Sequence, residues 1–216
     1  MGAPRANAKP WRFDGEIFGF GTQSGHRIVV GRWWSTPFGA FSDVMLEDPE
    51  GLRRLIAPTA DVATFIADTY FFDEVVTTAV EVRAEGHQRV VCAGGLDVNV
   101  GIGARDSIGV LLRLVPRRLR LSRLWATMID PVARRALAGV RVHGSARGGR
   151  REWYGAHDVH RLAWVTATWN GAGLGGMSDV VPPVRFGFGS VPRRPSLVQV
   201  TTTVDVGRQS SENVPT

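Results

Sequence analysis

Lysine is almost missing from this chain: Lys9 stands alone among 26 basic residues, and the other 25 are arginine. A Schiff-base enzyme needs a lysine made nucleophilic by burial or a neighbouring charge, and the body of the chain offers none. Cysteine is equally scarce. The single Cys92 excludes an internal disulfide, no C-x-x-C exists to hold structural zinc, and the apolar setting "RVVCAGG" reads it as a small hydrophobe rather than a nucleophile. No stretch approaches the roughly 18 apolar residues of a membrane helix, and "MGAPRANAKP" is no secretory leader. These absences predict a cytoplasmic protein without a transmembrane segment. Nucleotide-binding glycine patterns are missing too. "GAGLGG" has the wrong spacing for G-x-G-x-x-G, and neither a P-loop nor a G-x-S-x-G elbow occurs. No cofactor and no metal are expected.

What is there describes a folded chain. Hydrophobic residues make up 44% and charged residues 21% of the 216, so the chain can bury a core and differs from a disordered one. The net charge of +6 is uneven. Residues 113–151 carry 11 arginines against Asp130 alone, so this segment is +10 and the remainder −4. Such a stretch fits weak contact with a polyanion, or a solvated face answering acids elsewhere. It lacks a helix with polar base-reading side chains, so sequence-specific nucleic-acid binding is not expected. Homo-oligomerisation stays open.

One phrase is written twice, as Phe18-Gly19-Phe20-Gly21 and Phe186-Gly187-Phe188-Gly189. Alternation in a strand gives each copy a greasy face and a bare one. Glycine inside a strand marks a bend or a close approach of backbone or ligand. The expectation is that the two copies are neighbouring or facing strands, with Phe18 and Phe20 near Phe186 and Phe188 and the glycines forming a low wall.

Along the chain, two strands flank the turn "TQSG", "AFSDVML" and "LRRLIA" form a second hairpin, and Val62, Phe65, Ile66, Thr69 and Tyr70 fall at helical spacing behind Thr59 as N-cap. "EVVTTAVEVRA", "RVVCA" and "LDVNVGI" resume the strands. "SIGVLLRLV" fits a buried strand or a helix, and "RRLRLSRLWATMIDPVARRALAG" fits partial helix broken at Pro131. A hairpin follows around "RGGR", then "RLAWVTATW" alternates Leu162, Trp164, Thr166 and Thr168 against Ala163, Val165, Ala167 and Trp169 up to the turn Asn170-Gly171. "SLVQVTTTVDV" is the final strand. About ten strands and one to three helices make a β-dominated α+β fold, a barrel-like or strongly bent, mostly antiparallel sheet over residues 11–206, between tails at 1–10 and 207–216.

Two clusters carry chemistry. In "EWYGAHDVH", His157 and Asp158 are candidates for a general base and its orienting carboxylate, with Asp43 as the alternative acid; His160 completes the only close histidine pair. The second cluster is aromatic: Trp33, Trp34, Phe38 and Phe41, with Trp164 from elsewhere. Consecutive tryptophans in a strand cannot share a face, so one of Trp33 and Trp34 looks into the core or a cavity and the other away. Arg185, beside the second phenylalanine-glycine repeat, is the candidate anion contact. The leading expectation is a protein holding a small, largely apolar or amphipathic molecule in an aromatic cavity. The alternatives are a cofactor-independent lyase, isomerase or cyclase using the His/Asp pair, and an interaction module docking an acidic partner through its arginine-rich segment.

Overall fold

The computed structural model describes residues 10–116, 143–145, 151–186 and 191–205. Strand β1 (Trp11–Thr22) turns at 23–26 into β2 (Arg27–Ser35), followed by β3 (Phe41–Glu47), β4 (Arg53–Ala57), helix α1 (Ala60–Ala67) and the short β5 (Glu74–Thr77). Then come β6 (Val80–Glu85), β7 (Gln88–Ala93), β8 (Leu96–Arg105), helix α2 (Ser107–Leu114) and β9 (His143–Ser145). The long β10 (Arg151–Trp169) leads through the two-residue strands β11 (Ala172–Gly173) and β12 (Met177–Ser178) to β13 (Ser196–Asp205). The hydrogen-bonded path runs β5-β4-β3-β2-β1-β13-β10-β8-β7-β6, with β9 and β11 on β10 and β12 on β1. Among the described strands, only β4–β5 is parallel. The β-dominated α+β expectation holds, in the form of one curled sheet, a half-barrel, with two short helices among the described residues.

Alternation along the strands builds two faces. Phe18 and Phe20 on β1, Ile28 and Val30 on β2, and Val44 and Leu46 on β3 are fully buried inside the curl together with Val91 on β7 and Val98 and Val100 on β8. That strands from distant parts of the path share one cluster is what the curl accomplishes, and the Arg54 guanidinium lies 5.1 Å from the Trp169 ring across it. The two ends of the path, β5 and β6, are covalent neighbours joined through residues 78–79. The outer face of β1–β4 and β13 is covered by α1, whose start is capped by the Thr59 hydroxyl accepting from the Val62 N–H at 3.3 Å and which buries Val62, Ala63 and Ile66.

Three expectations change, and one open alternative is decided. "EVVTTAVEVRA" is two strands, because Glu74–Thr77 pairs in parallel with β4 whereas Val80–Glu85 pairs with β7 on the opposite edge. "SIGVLLRLV" is helix, begun by the Asp106 carboxylate accepting from the Ile108 N–H. The alternation of "RLAWVTATW" slips, since register shifts on either side of Leu162 put Leu162, Val165 and Ala167 all in the core and leave Trp164 40% exposed over Gly101. Lastly, Phe186, the one described residue of the second repeat, does not join the core layer of the first. Phe18 and Phe20 lie inside the curl, but Phe186 packs outside it with Val29, Val180 and Val191, and its carbonyl accepts from the Phe71 N–H at 2.7 Å. Gly19 lies under Val191 and Gly21 under the Asp179 carbonyl, so the first glycine wall meets packed chain rather than open space. Residues 187–190 and most of the arginine-rich segment, including its expected partial helix, lie outside the described residues. The two terminal strands are neighbours nonetheless: β13 pairs with β1 from Trp11↔Val204 to Gly19↔Ser196.

Candidate functional site

Between α1 and the outer face of the sheet lies a cavity of about 540 Å³ including its open mouth, with about 60 Å³ open to the centre of a water molecule. Its walls are mainly apolar: Phe13 and Ile17 from β1, Trp33 from β2, Phe41 and Met45 from β3, and Phe65 from α1. Two glycines make the room. A Cβ on Gly15 would meet the Trp33 ring at 2.6 Å, and one on Gly31 would meet the Trp33 indole nitrogen and the Asp43 carboxylate at 2.5 Å. The tryptophan ring therefore lies flat along the bare backbone of its neighbours. Phe13 stacks on Phe65 at 5.2 Å, and Phe38 packs edge-on to Phe41 behind this wall. Gly31→Ala should push Trp33 off Asp43 and cost about 1–3 kcal/mol. Urea denaturation would check it, and an unchanged midpoint would contradict the geometry.

Asp43 is the polar group at one end. It faces the outer side opposite Gly31, is 3% exposed, and its Oδ1 accepts from Trp33 Nε1 at 2.8 Å. Burial pushes its carboxyl up to about 7, against the smaller opposing pull of the tryptophan hydrogen bond. At the other end Tyr154 and Thr202 sit opposite each other on β10 and β13. The Tyr70 and Tyr154 hydroxyls bond at 2.7 Å, and the buried Thr202 Oγ1 has no hydrogen-bond partner among the described residues. Three strand spacings separate β3 from β13, roughly 14 Å across the strands. The cavity is a long apolar slot with hydrogen-bonding groups at both ends.

The sequence-derived candidates divide accordingly. Trp33, Phe41 and Asp43 line the cavity and Phe38 supports it, whereas Trp34 is 51% exposed on the other side of the strand. Trp164 is remote from it in the register, on the part of β10 that pairs with β8. Arg185 clamps structure instead of lining the slot: its Nε and backbone N–H both bond the fully buried Glu47, which also pairs with Arg27 at 3.2 Å.

His157 and Asp158 do not pair with each other. A register shift between Ala156 and Asp158 sends them to different partners. His157 Nε2 meets Thr201 Oγ1 at 2.7 Å, and that hydroxyl donates its proton to Asp14, so the imidazole nitrogen is itself the donor and not a base towards threonine. Burial works to raise the Asp158 carboxyl, but bonds from Arg105 at 2.8 Å and from the Val159 N–H outweigh it and hold the group below its ordinary value. Burial and a bond to Asp97 push the Cys92 thiol up, which keeps it unreactive. No cluster of three or more metal-ligating side chains occurs among the described residues.

Phe13, Phe65, Tyr70 and Thr202 complete the slot and were not singled out as site residues from the sequence, and Tyr154 joins them from the polar cluster around His157. Phe65 and Tyr70 did show as a helical stripe; only the sheet pairing reveals what the stripe covers. Comparison with known proteins finds no matching family, no similar curated protein and no similar solved structure. Function therefore rests on the slot itself. Among the described residues, no helix is long and apolar enough to cross a membrane.

Proposed function

We propose that the protein binds a small, elongated and largely apolar molecule in the slot between α1 and the outer sheet face. The observation that carries this reading is the pairing of an aromatic wall with under-used polar groups at its ends, the partnerless Thr202 hydroxyl and the carboxyl of Asp43. A buried hydroxyl without a partner costs about 1–3 kcal/mol, which a ligand oxygen or nitrogen would recover. The ligand's polar ends are uncharged or share a proton with Asp43, since among the described residues no cation lines the slot to receive a carboxylate. The lone cysteine fits a reducing compartment, and we place the protein in the cytoplasm.

Native mass spectrometry of protein purified from its own host should show an added mass that is lost on denaturation. A second arm adds a fluorescent apolar dye that reports on the slot by displacement. Absence of any retained mass, together with dye binding indifferent to Trp33→Ala, would overturn the reading.

A second reading has one specific observation behind it. A carboxyl poised near neutrality in an apolar, half-enclosed site is suited to moving a proton, so Asp43 could serve a cofactor-independent isomerase, lyase or cyclase without the histidine. Asp43→Asn separates the two. A pure binder keeps its ligand unaltered in both forms, whereas an enzyme converts the captured compound only with Asp43 present.

A further inference from the structure

A second hollow, of about 960 Å³ including its open mouth and about 400 Å³ open to the centre of a water molecule, opens where the start of α2 meets β10, β13 and the segment before β13. Arg161 and Ser196 are direct register partners in the β10–β13 ladder. Side-chain alternation puts them on the outer face with Val198, so both face this hollow. The α2 N-terminus is fixed here: the Asp106 N–H donates to the Val159 carbonyl at 2.9 Å, and its carboxylate accepts from the Ile108 N–H and, at 3.0 Å, from Arg161 Nε. Arg193 and Arg194 arrive from the opposite wall. Three arginines thus face one lining carboxylate. Arg193 Nε bonds Asp179 at 3.1 Å, and Arg194 is exposed with no ion-pair partner among the described residues.

Ser196 supplies the independent observation. It is 5% exposed, it lines the hollow, and its Oγ has no hydrogen-bond partner among the described residues. Folding that stripped water from a hydroxyl and gave it nothing in return leaves a donor for something that enters. Arg161 spends Nε on Asp106 and keeps its two Nη nitrogens, Arg194 keeps its whole fork, and α2 turns its positive end the same way.

We propose that this hollow binds a phosphate group, free or on a small monoester, between Arg161, Arg194 and the Ser196 hydroxyl. Donors converging from a helix start, a strand pair and a loop suit a tetrahedral anion with oxygens in several directions; a planar carboxylate would satisfy one guanidinium fork and leave the serine unmet. The site lies beside α2, on strands' ends remote in register from the apolar slot, and is independent of what the slot holds.

The test titrates the full chain with inorganic phosphate at fixed ionic strength, with chloride as the reference anion, followed by calorimetry and by melting temperature. Saturable, phosphate-dependent heat and a rising melting temperature are expected. Arg194→Gln should weaken binding about tenfold, as loss of a charge-assisted contact does. Ser196→Ala should weaken it several-fold while leaving the melting temperature of the unliganded protein unchanged or higher, because its hydroxyl has no partner to lose. Glycerol phosphate forms the second arm: tighter binding than inorganic phosphate identifies a monoester as the ligand, and equal binding identifies the free ion. No saturable effect beyond that of chloride, or binding unaltered in both variants, overturns the proposal.

Discussion

Replacing Asp43 by asparagine should stabilise the protein at alkaline pH and do almost nothing at acid pH. The unfolded chain releases this proton near the ordinary value of 3.8, and the folded protein, because burial opposes the charge, only at about 7. Between those values the folded state binds more protons than the unfolded one, so stability contributed by the neutral carboxyl is complete below 3.8 and is lost as pH rises to about 7. The full gap corresponds to about 4 kcal/mol, on the order of 10 °C in melting temperature for a chain of this size. Asparagine carries no charge at any pH, and its carbonyl can still accept from Trp33 Nε1. Urea denaturation at about pH 4 and about pH 8 measures the difference. A variant equally stabilised or destabilised at both would mean that Asp43 is not titrating in this window.

The persistence of such a group is informative on physical grounds. A buried carboxyl with no cation beside it among the described residues works against folding at neutral pH, and asparagine would keep the indole hydrogen bond without that cost. Function is the natural compensation, either as a ligand contact or as a proton carrier. Stability gained by Asp43→Asn together with lost ligand retention is the trade-off expected of a working site. The ion pairs elsewhere differ in kind. Glu16 receives Arg89 at 2.6 Å and Arg32 at 3.4 Å, and Glu47 receives Arg27 and Arg185, so these buried acids are neutralised where they lie.

How much of this was legible depends on whether local or distant contacts decide. The β1–β2 hairpin, the β3–β4 hairpin and α1 with its Thr59 cap follow from turn residues and periodicity within a few positions of each other. The Asn170-Gly171 turn, with φ of 50° and 79°, follows from the two residues' tolerance of left-handed backbone. The failures lie at register shifts. Adjacent His157 and Asp158 look like a dyad until a bulge in β10 gives them to Thr201 and Arg105, and Trp164 looks like a wall of the cavity until two shifts beside Leu162 turn it out. A bulge is set by the pairing partner, here β13 and β8, and leaves no mark in the strand that carries it. The repeated phenylalanine-glycine phrase misled for a related reason: the first copy is held in the sheet by β2 and β13, whereas Phe186, the one described residue of the second, packs on Phe72 outside the curl. Glycine did mark the site, but at Gly15 and Gly31, which sit outside the repeat.

Trp33 and Trp34 provide the sharpest contrast in the molecule. They are consecutive on β2, so they share propensity, solvent history in the unfolded chain and almost the same backbone, and differ in which face they occupy. Trp33 lies over Gly15 and Gly31, packs against Phe13 at 6.1 Å and Phe41 at 6.5 Å, and donates to Asp43. Trp34 points the other way. Trp33→Ala should remove one wall of the slot and strip the Asp43 carboxyl of its donor, at a cost of about 3 kcal/mol, the lower end for a buried tryptophan because the residue is only half-buried. Ligand or dye retention should disappear. Trp34→Ala should change stability by no more than about 0.5 kcal/mol and leave retention intact. Because Trp33→Ala also loosens the fold, Trp33→Phe is the deciding variant: it keeps an aromatic ring in the wall but has no N–H for Asp43. Retention of an apolar dye with loss of the native ligand in Trp33→Phe would show that the ligand's polar end needs the Asp43 carboxyl held in place by the indole N–H. Retention unaffected by all three changes would move the binding site away from this face of the sheet altogether.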